Sequence, residues 1–253
     1  MTSVRGSGVN ERRRSFHTFA WKDANYRFRG GSPRAVRRDL VARREELEAY
    51  IARYPLFQTS LVPIPAAPGA PAVALAMHRA AELAGVGPMA AVAGAMAESA
   101  LRAARAEVVE NGGDIFLWAD CPLTIGLYAG GSSLSGRLAL RVEPARMPLA
   151  VCSSSGTMGH SFSFGRCDLA TVVAGDGALA DAAATLAGNL VTSADDIPAA
   201  LERVCAIPGV AGVLLVKGER VGLKGDLPPL VAVSDPAFAD KITRDRRSGF
   251  APA

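Results

Sequence analysis

The order of helix-like and strand-like segments is the feature that most restricts the fold of this chain. Two alanine-rich segments, roughly residues 71–84 and 88–109, predict neighbouring helices because small and apolar residues recur there at helical spacing. Short apolar segments follow and predict strands, at about 114–118, 122–128, 136–143 and 148–153. This mixed order argues against a barrel of regular βα units and predicts an α+β fold.

Start and stop signals define further elements on either side of this region. Ser32 can cap a helix, Pro33 suits its first turn, and Pro55 stops it. Later in the chain, residues 168–175 predict a strand and residues 177–191 predict a helix. The small residues of the 88–109 segment allow another backbone to approach it closely.

Composition restricts the class of protein. An apolar content of 49% in 253 residues supports a substantial core and argues against general disorder. We expect residues 1–13 to form a flexible tail and residues 14–253 to form a single domain, or two closely packed subdomains. The net charge of +4 is concentrated in the N-terminal region. No nucleic-acid-binding motif accompanies that charge, so nucleic acid is not an expected partner.

No apolar segment is long enough to span a membrane, and no secretory signal follows the basic N-terminus. We therefore expect a cytoplasmic protein with no membrane partner. Alanine-faced helices and sheet edges need to be covered, so a homodimer is a further hypothesis.

The first chemically informative segment is ENGGDIFL, residues 110–117. Gly112 and Gly113 allow positive φ and leave backbone amides uncovered, so the turn can approach an anion or a nucleotide closely. The alternative is that Asn111 and Gly112 simply end the preceding helix. The segment is not a phosphate loop of the G-x-x-x-x-G-K-[ST] type.

The second segment is CSSSGTMGHSFSFGRCD, residues 152–168, which is rich in hydroxyls and glycines. It predicts a polar loop between two strands that is long for a hairpin, and such loops often form binding sites. His160 could act as an acid, a base or a donor to phosphate oxygen. The alternative is a histidine that only fixes its own loop. A serine hydrolase is not favoured, because no G-x-S-x-G motif is present.

The third segment is DGALADAAATLAGN, residues 176–189. Asp181 and Thr185 are four residues apart and share one helix face. Their hard oxygen atoms suit Mg²⁺, with phosphate and water completing the coordination. Alternatively, Asp181 complements the dipole of its helix and Thr185 bonds back to a carbonyl.

In combination, these segments resemble the UPF0280 family, which is uncharacterised and related to ApbE, the FAD:protein FMN transferases. The likeness covers most of the chain and rests on AGVGPMAAVAGAMAE, ENGGDIFL, SSSGTMGHSFSFGRCD and ALADAAATLAGN. It implies an ApbE-like (T-fold-like) α+β fold of mixed sheets with packed helices. It also implies a cleft for a flavin-like or nucleotide-like ligand.

The resemblance also implies the roles of individual residues. ApbE enzymes have an N-x-G-G-[DN] turn in the flavin-nucleotide site, an S-G step before the nucleotide loop, and an A-D-A-x-x-T helix that holds Mg²⁺. The matching candidates for binding an FAD-like or FMN-like ligand are Asn111, Gly112, Gly113, Asp114, Ser154, Ser155, Gly156 and Thr157. Asp181 and Thr185 match the Mg²⁺ ligands, and His160 is the candidate catalytic residue.

One motif departs from the ApbE pattern. ApbE enzymes have H-I-I-D-P-x-T-G where this chain has GHSFSFGRCD, so no Asp-Pro follows His160. ApbE enzymes are also usually exported, and the chain shows no export signal. We therefore do not expect it to flavinylate a secreted protein.

Three functions follow as hypotheses. The first is an enzyme that binds a phosphorylated nucleotide-like or flavin-like small molecule with Mg²⁺ and catalyses transfer or hydrolysis at a phosphate. The second is a non-catalytic module that binds a flavin or another small organic cofactor, which the missing Asp-Pro favours. The third is a step in making a pterin-type one-carbon cofactor, which rests only on the likeness to T-fold proteins.

Overall fold

The computed structural model describes residues 15–156 and 165–233. The predicted tail, residues 1–13, lies outside this part of the chain, as do Thr157 and His160.

The described part of the chain alternates helices with short strands. Its helices are α1 (Pro33–Arg53), α2 (Leu56–Thr59), α3 (Ala72–Ala84), α4 (Val92–Ala104), α5 (Gly177–Leu190) and α6 (Ile197–Cys205). Its strands are β1 (His17–Trp21), β2 (Ala24–Arg29), β3 (Val108–Asn111), β4 (Asp114–Leu117), β5 (Leu123–Leu127), β6 (Leu138–Val142), β7 (Leu149–Ser154), β8 (Leu169–Ala174), β9 (Val210–Lys217), β10 (Arg220–Gly225) and β11 (Leu230–Ala232). As predicted, Ser32 caps α1 by accepting a hydrogen bond from the Ala35 amide.

These elements form three layers. The central layer is an antiparallel sheet in the order β1-β2-β3-β4-β7-β8-β9-β10, and a second sheet has the order β11-β6-β5. Helices cover one face of the large sheet, and the small sheet covers part of the other. In β8, for example, Ala170, Val172 and Ala174 pack towards the helices. Leu169 and Val173 pack towards the small sheet. The predicted α+β class is confirmed.

The predicted helix over residues 88–109 is wrong at both ends. A 3₁₀ turn (Pro88–Ala91) precedes α4, and β3 begins at Val108. Arg105 ends α4 in the left-handed region, with φ of 49°. The Gly112–Gly113 pair therefore does not stop a helix.

Gly112 and Gly113 instead form the turn of the β3–β4 hairpin. Asn111 pairs directly with Asp114, which leaves a two-residue loop. The φ angles are +63° at Gly112 and +113° at Gly113. Positive φ at both central positions is what a type I′ turn requires, and glycine adopts it without a steric penalty.

Helices α4 and α5 cross with their backbones in contact. A Cβ added to Gly94 would lie 2.0 Å from the Gly177 carbonyl oxygen, and one added to Gly177 would lie 2.5 Å from the Gly94 carbonyl oxygen. The close approach expected of the small residues in this segment is thus realised at the crossing. It places α5, which is buried along most of its length, directly over β7 and β8.

No single helix among residues 15–156 and 165–233 has the length and apolar character needed to cross a membrane. By length and composition alone, α3 together with residues 88–104 passes that test as a pair, bent by 106°.

The crossing predicts a large effect of one methyl group. Gly94→Ala should lower the free energy of unfolding by about 3 kcal/mol, because overpacking against backbone cannot be relieved by a rotamer change. The measurement is urea unfolding followed by circular dichroism.

Gly175→Ala is the matched control. No atom lies within 4 Å of a Cβ at that position and its φ is not positive, so the change should be neutral or stabilise by up to about 1 kcal/mol. Equal stability losses in the two variants would contradict the proposed contact.

Candidate functional site

Two buried acids from distant parts of the sequence lie close together beside the β3–β4 turn. Asp114 begins β4 and Asp181 lies in the second turn of α5. Asp114 is 8% exposed and Asp181 is 9% exposed, so neither is completely sealed from solvent. Burial raises the pKa of Asp181, and the charge of the nearby Asp114 carboxyl group raises it further.

Asp181 caps a helix other than its own. Its Oδ2 accepts a hydrogen bond from the Gly94 amide at 2.9 Å, and the Ala93 amide also contributes. Both amides belong to the first turn of α4, where Ala91 provides no side-chain cap. The alternative that Asp181 complements the dipole of its own helix is therefore not what the structure shows, because its carboxyl group lies at the N-terminus of α4. The N-terminus of α5 is capped by Asp176.

Asp114 is held from the neighbouring strand β7. Its Oδ1 accepts a hydrogen bond from the Ser153 amide at 3.1 Å. The Cys152 thiol lies beside the carboxyl group and donates to the Gly177 carbonyl oxygen at 3.7 Å. Burial is the main cause that raises the pKa of Asp114 to about 7. Burial likewise raises the pKa of Asp181 well above its usual range. Among the residues that the structure describes, no lysine, arginine or histidine contributes to these pKa values.

The hairpin turn lies against the start of α4. The Asn111 side-chain amide donates to the Ala93 carbonyl oxygen at the long distance of 3.5 Å. Gly112 is exposed and Gly113 is partly exposed, and no atom lies within 4 Å of a Cβ at either position. The two glycines therefore leave open space beside the turn.

The end of β7 and the residues that follow it run towards the opposite end of α5. Ser154, Ser155 and Gly156 are partly exposed, and the Gly156 amide donates to the Cys167 carbonyl oxygen at 2.8 Å. Gly156 packs against Gly165, since a Cβ added to Gly156 would lie 2.3 Å from the Gly165 carbonyl oxygen.

Gly165 in turn contacts α5. A Cβ at Gly165 would lie 1.9 Å from the Gly188 carbonyl oxygen. Asp181, Thr185 and Gly188 are spaced by four and three residues, so they share one face of α5. Thr185 is partly exposed, and its hydroxyl forms no hydrogen bond in the described part of the chain. The alternative in which it bonds back to a helix carbonyl is thus not seen there.

The donor atoms decide which cation the site could hold. The described ranges contain no group of three or more His, Cys, Asp or Glu side chains placed to hold a metal ion. They do contain the two carboxyl groups and the Thr185 hydroxyl, which are hard oxygen donors. Mg²⁺ is usually bound through one or two carboxylates together with the phosphates of a ligand. The residues therefore fit Mg²⁺ that arrives with a phosphorylated ligand, but not a metal site made by the protein alone.

The sequence analysis missed several groups of this site. They are the Ala93 and Gly94 amides, the Ser153 amide, the Cys152 thiol and, as described below, Glu98. Of these groups, only Gly94 could have been noticed in the sequence, because it is a glycine within an alanine-rich helical segment. A separate cleft of about 250 Å³ lies between α1, α3, α4 and the start of α5. Glu98 and Asp176 line that cleft, but none of the predicted site residues within the described ranges does.

The three-layer α+β fold places the chain in the ApbE-like class, which two comparisons support. A family model described as "AbpE bacteria" matches residues 27–209. A UPF0280 protein of Methanocaldococcus jannaschii is 42% identical over 76% of this chain and 82% of its own length. A UPF0280 protein of Methanocella arvoryzae is 45% identical over 74% of this chain and 78% of its own length. The chain belongs to the UPF0280 family, as the sequence motifs predicted.

The fold is similar to that of a solved flavin transferase. The flavin transferase ApbE from Vibrio cholerae superposes with a TM-score of 0.51, covering 89% of this chain and 98% of the enzyme. Sequence identity is 13%. The likeness confirms the predicted ApbE-like fold.

The buried acids predict how stability depends on pH when no cation is added. Native Asp114 keeps its proton up to about pH 7, whereas the unfolded chain releases it near 3.8. The free energy of unfolding should therefore fall as pH rises through this window, by up to about 1.4 kcal/mol per pH unit for one proton. Urea unfolding in EDTA between pH 4.5 and pH 7.5 (roughly the window of these two values) measures the slope.

Asp114→Asn should reduce this slope, since the variant has no proton to release at position 114. Asp195→Asn, which alters an exposed acid, should keep it. An Asp114→Asn slope as steep as that of the wild type would show that Asp114 does not retain a proton in the native protein.

Proposed function

We propose that this protein is an enzyme that binds a flavin-like or nucleotide-like small molecule through its phosphates, together with Mg²⁺, and acts at a phosphate. The main observation behind the proposal is the juxtaposition of Asp114 and Asp181 beside an open Gly112–Gly113 turn. The likeness to a flavin transferase supports the choice of a flavin-like ligand.

The cost of burying the two acids favours a bound cation. Burying an ionised carboxyl group costs several kcal/mol even after relaxation. A capping hydrogen bond of the kind Asp181 makes to α4 is worth only about 1 kcal/mol. Residues 15–156 and 165–233 place no basic side chain among the groups that set the pKa values of the pair, so within these ranges the remaining cost is offset only by a retained proton or by a cation. Of these two, the cation is the better match for a site that binds a phosphorylated ligand at neutral pH, because it also offsets the charge of the phosphates.

Each part of the chain then has a definite task. Asp181 and Thr185 would supply oxygen ligands, and Asp114 would add a second carboxylate near the same point. The amides of Gly112 and Gly113, with Asn111, would lie along the phosphates. Bound Mg²⁺ would neutralise phosphate charge and orient the reacting oxygen. Ser154, Ser155, Gly156 and Thr157 are proposed as further ligand contacts, and His160 as the acid–base residue.

The second candidate is a binding module without turnover. It is favoured by the contacts of the two acids in the described residues, which come from amides and a thiol and include no histidine or lysine. The cytoplasmic location, the homodimer and the extent of the domain stay predictions from the sequence.

The test is binding of FAD with and without Mg²⁺, followed by flavin fluorescence anisotropy. Asp181→Asn should weaken Mg²⁺-dependent binding by at least about a hundredfold, since a lost cation ligand costs several kcal/mol. The asparagine oxygen can still accept from the Gly94 amide, so the thermal unfolding temperature should change little. Mass spectrometry of the incubated FAD then separates the candidates, because an enzyme forms cleaved or transferred products and a binding module returns intact FAD.

Asp195→Asn, with its exposed side chain, serves as the control and should bind as the wild type does. The proposal fails if FAD binds equally well in EDTA, or if Asp181→Asn retains the Mg²⁺ dependence.

A further inference from the structure

Helices α4 and α5 cap each other where they cross. Asp181 of α5 accepts from the Gly94 amide in the first turn of α4, at 2.9 Å. Glu98 of α4 accepts through Oε2 from the Gly177 amide in the first turn of α5, at 2.7 Å. Each helix therefore provides the carboxylate that satisfies free amides of the other.

The contact between Gly94 and Gly177 leaves little freedom between these two bonds. A Cβ on Gly94 would lie 2.0 Å from the Gly177 carbonyl oxygen and 2.9 Å from Cβ of Asp181. The start of α5 thus lies directly on α4, and Asp181 follows Gly177 by about one helical turn. A shift of Gly177 relative to α4 would move the Asp181 carboxylate by a similar distance.

We propose that Glu98 is a positioning residue for the cation-binding carboxylate of Asp181. By holding the Gly177 amide, it fixes the first turn of α5 on α4 and so sets where Asp181 lies relative to Asp114. Glu98 itself lines the separate cleft beside α1 and α3, so it acts through α5 and not by contact with the ligand. This inference rests on the function proposed above.

The other oxygen of Glu98 provides a matched control. Oε1 accepts from Arg102 at 2.7 Å on a more exposed part of α4. Arg102→Ala removes this ion pair and leaves the Oε2 bond to Gly177 in place. Glu98→Gln keeps an oxygen acceptor for the Gly177 amide, whereas Glu98→Ala removes it. If Glu98 only stabilised the helices, Glu98→Ala would lower the unfolding temperature without changing the Mg²⁺ concentration needed for binding.

The experiment measures the Mg²⁺ concentration that gives half-maximal FAD binding in each variant. Residues that orient a metal ligand typically change metal affinity by about tenfold or more. Glu98→Ala should therefore raise the required Mg²⁺ concentration about tenfold, while Glu98→Gln and Arg102→Ala stay close to the wild type. Should Glu98→Ala not fold, Glu98→Asp takes its place, since the shorter side chain withdraws the carboxylate from Gly177.

A second readout needs neither Mg²⁺ nor FAD. Hydrogen exchange of the Gly94 amide, measured by NMR relative to amides in the middle of β8, should be faster in Glu98→Ala because Asp181 no longer holds it in place. The inference is overturned if Glu98→Ala keeps both the wild-type Mg²⁺ requirement and the wild-type exchange rate. Absence of Mg²⁺-dependent binding in the wild type would instead refute the proposed function. The Gly94 exchange rate alone would then decide the role of Glu98.

Discussion

The close crossing of α4 and α5 is the constraint on which the rest of the structure depends. Glycine at positions 94 and 177 lets the two backbones touch. That contact brings Glu98 and Asp181 to the amides that each helix leaves free at its N-terminus. It also places the second turn of α5 beside β4, the strand that begins at Asp114. A packing requirement and a chemical arrangement are thus met by the same few residues.

Comparing the cost of burying Asp181 with the stability gained from helix capping explains why this arrangement is a candidate site and not only a contact between two helices. Two caps contribute about 1 kcal/mol each, and their carboxylates need not be buried to form them. Glu98 caps α5 while remaining partly exposed and paired with Arg102. Asp181 caps α4 from a buried position next to a second buried acid, and no basic group in the described part of the chain contributes to its pKa. Burying the Asp181 carboxyl group costs more than its capping bond contributes, and a role in stability alone does not explain that difference.

Much of the fold could be predicted from the sequence because its signals are local. Ser32 and Pro33 mark the start of α1, and apolar runs mark β4, β7 and β8. Strand β3 was missed because Arg105 ends α4 in a left-handed conformation that usually calls for glycine. Because no glycine or proline marks this stop in the sequence, Val108 and Val109 continue the helical pattern.

The site could be predicted only in part. The residues of the turn and of α5 were found from motifs, and their proximity is a feature of the fold. The role of Asp181 at the N-terminus of another helix depends on tertiary contact between residues 87 positions apart. No spacing rule gives such a contact, and the same holds for the Ser153 amide that holds Asp114. His160 and Thr157 lie outside the described residues, so their roles stay predictions.

The central claim is that the Asp114–Asp181 pair receives a divalent cation together with the phosphates of a flavin-like ligand. The most direct measurement is an anomalous difference map from crystals grown with Mn²⁺ and FAD. The account predicts a Mn²⁺ peak about 2.0–2.3 Å from a carboxylate oxygen of Asp181, with phosphate oxygen on its other side and the Gly112–Gly113 turn alongside. Clear density for FAD with no cation at Asp181, or with the cation bound elsewhere, would contradict it.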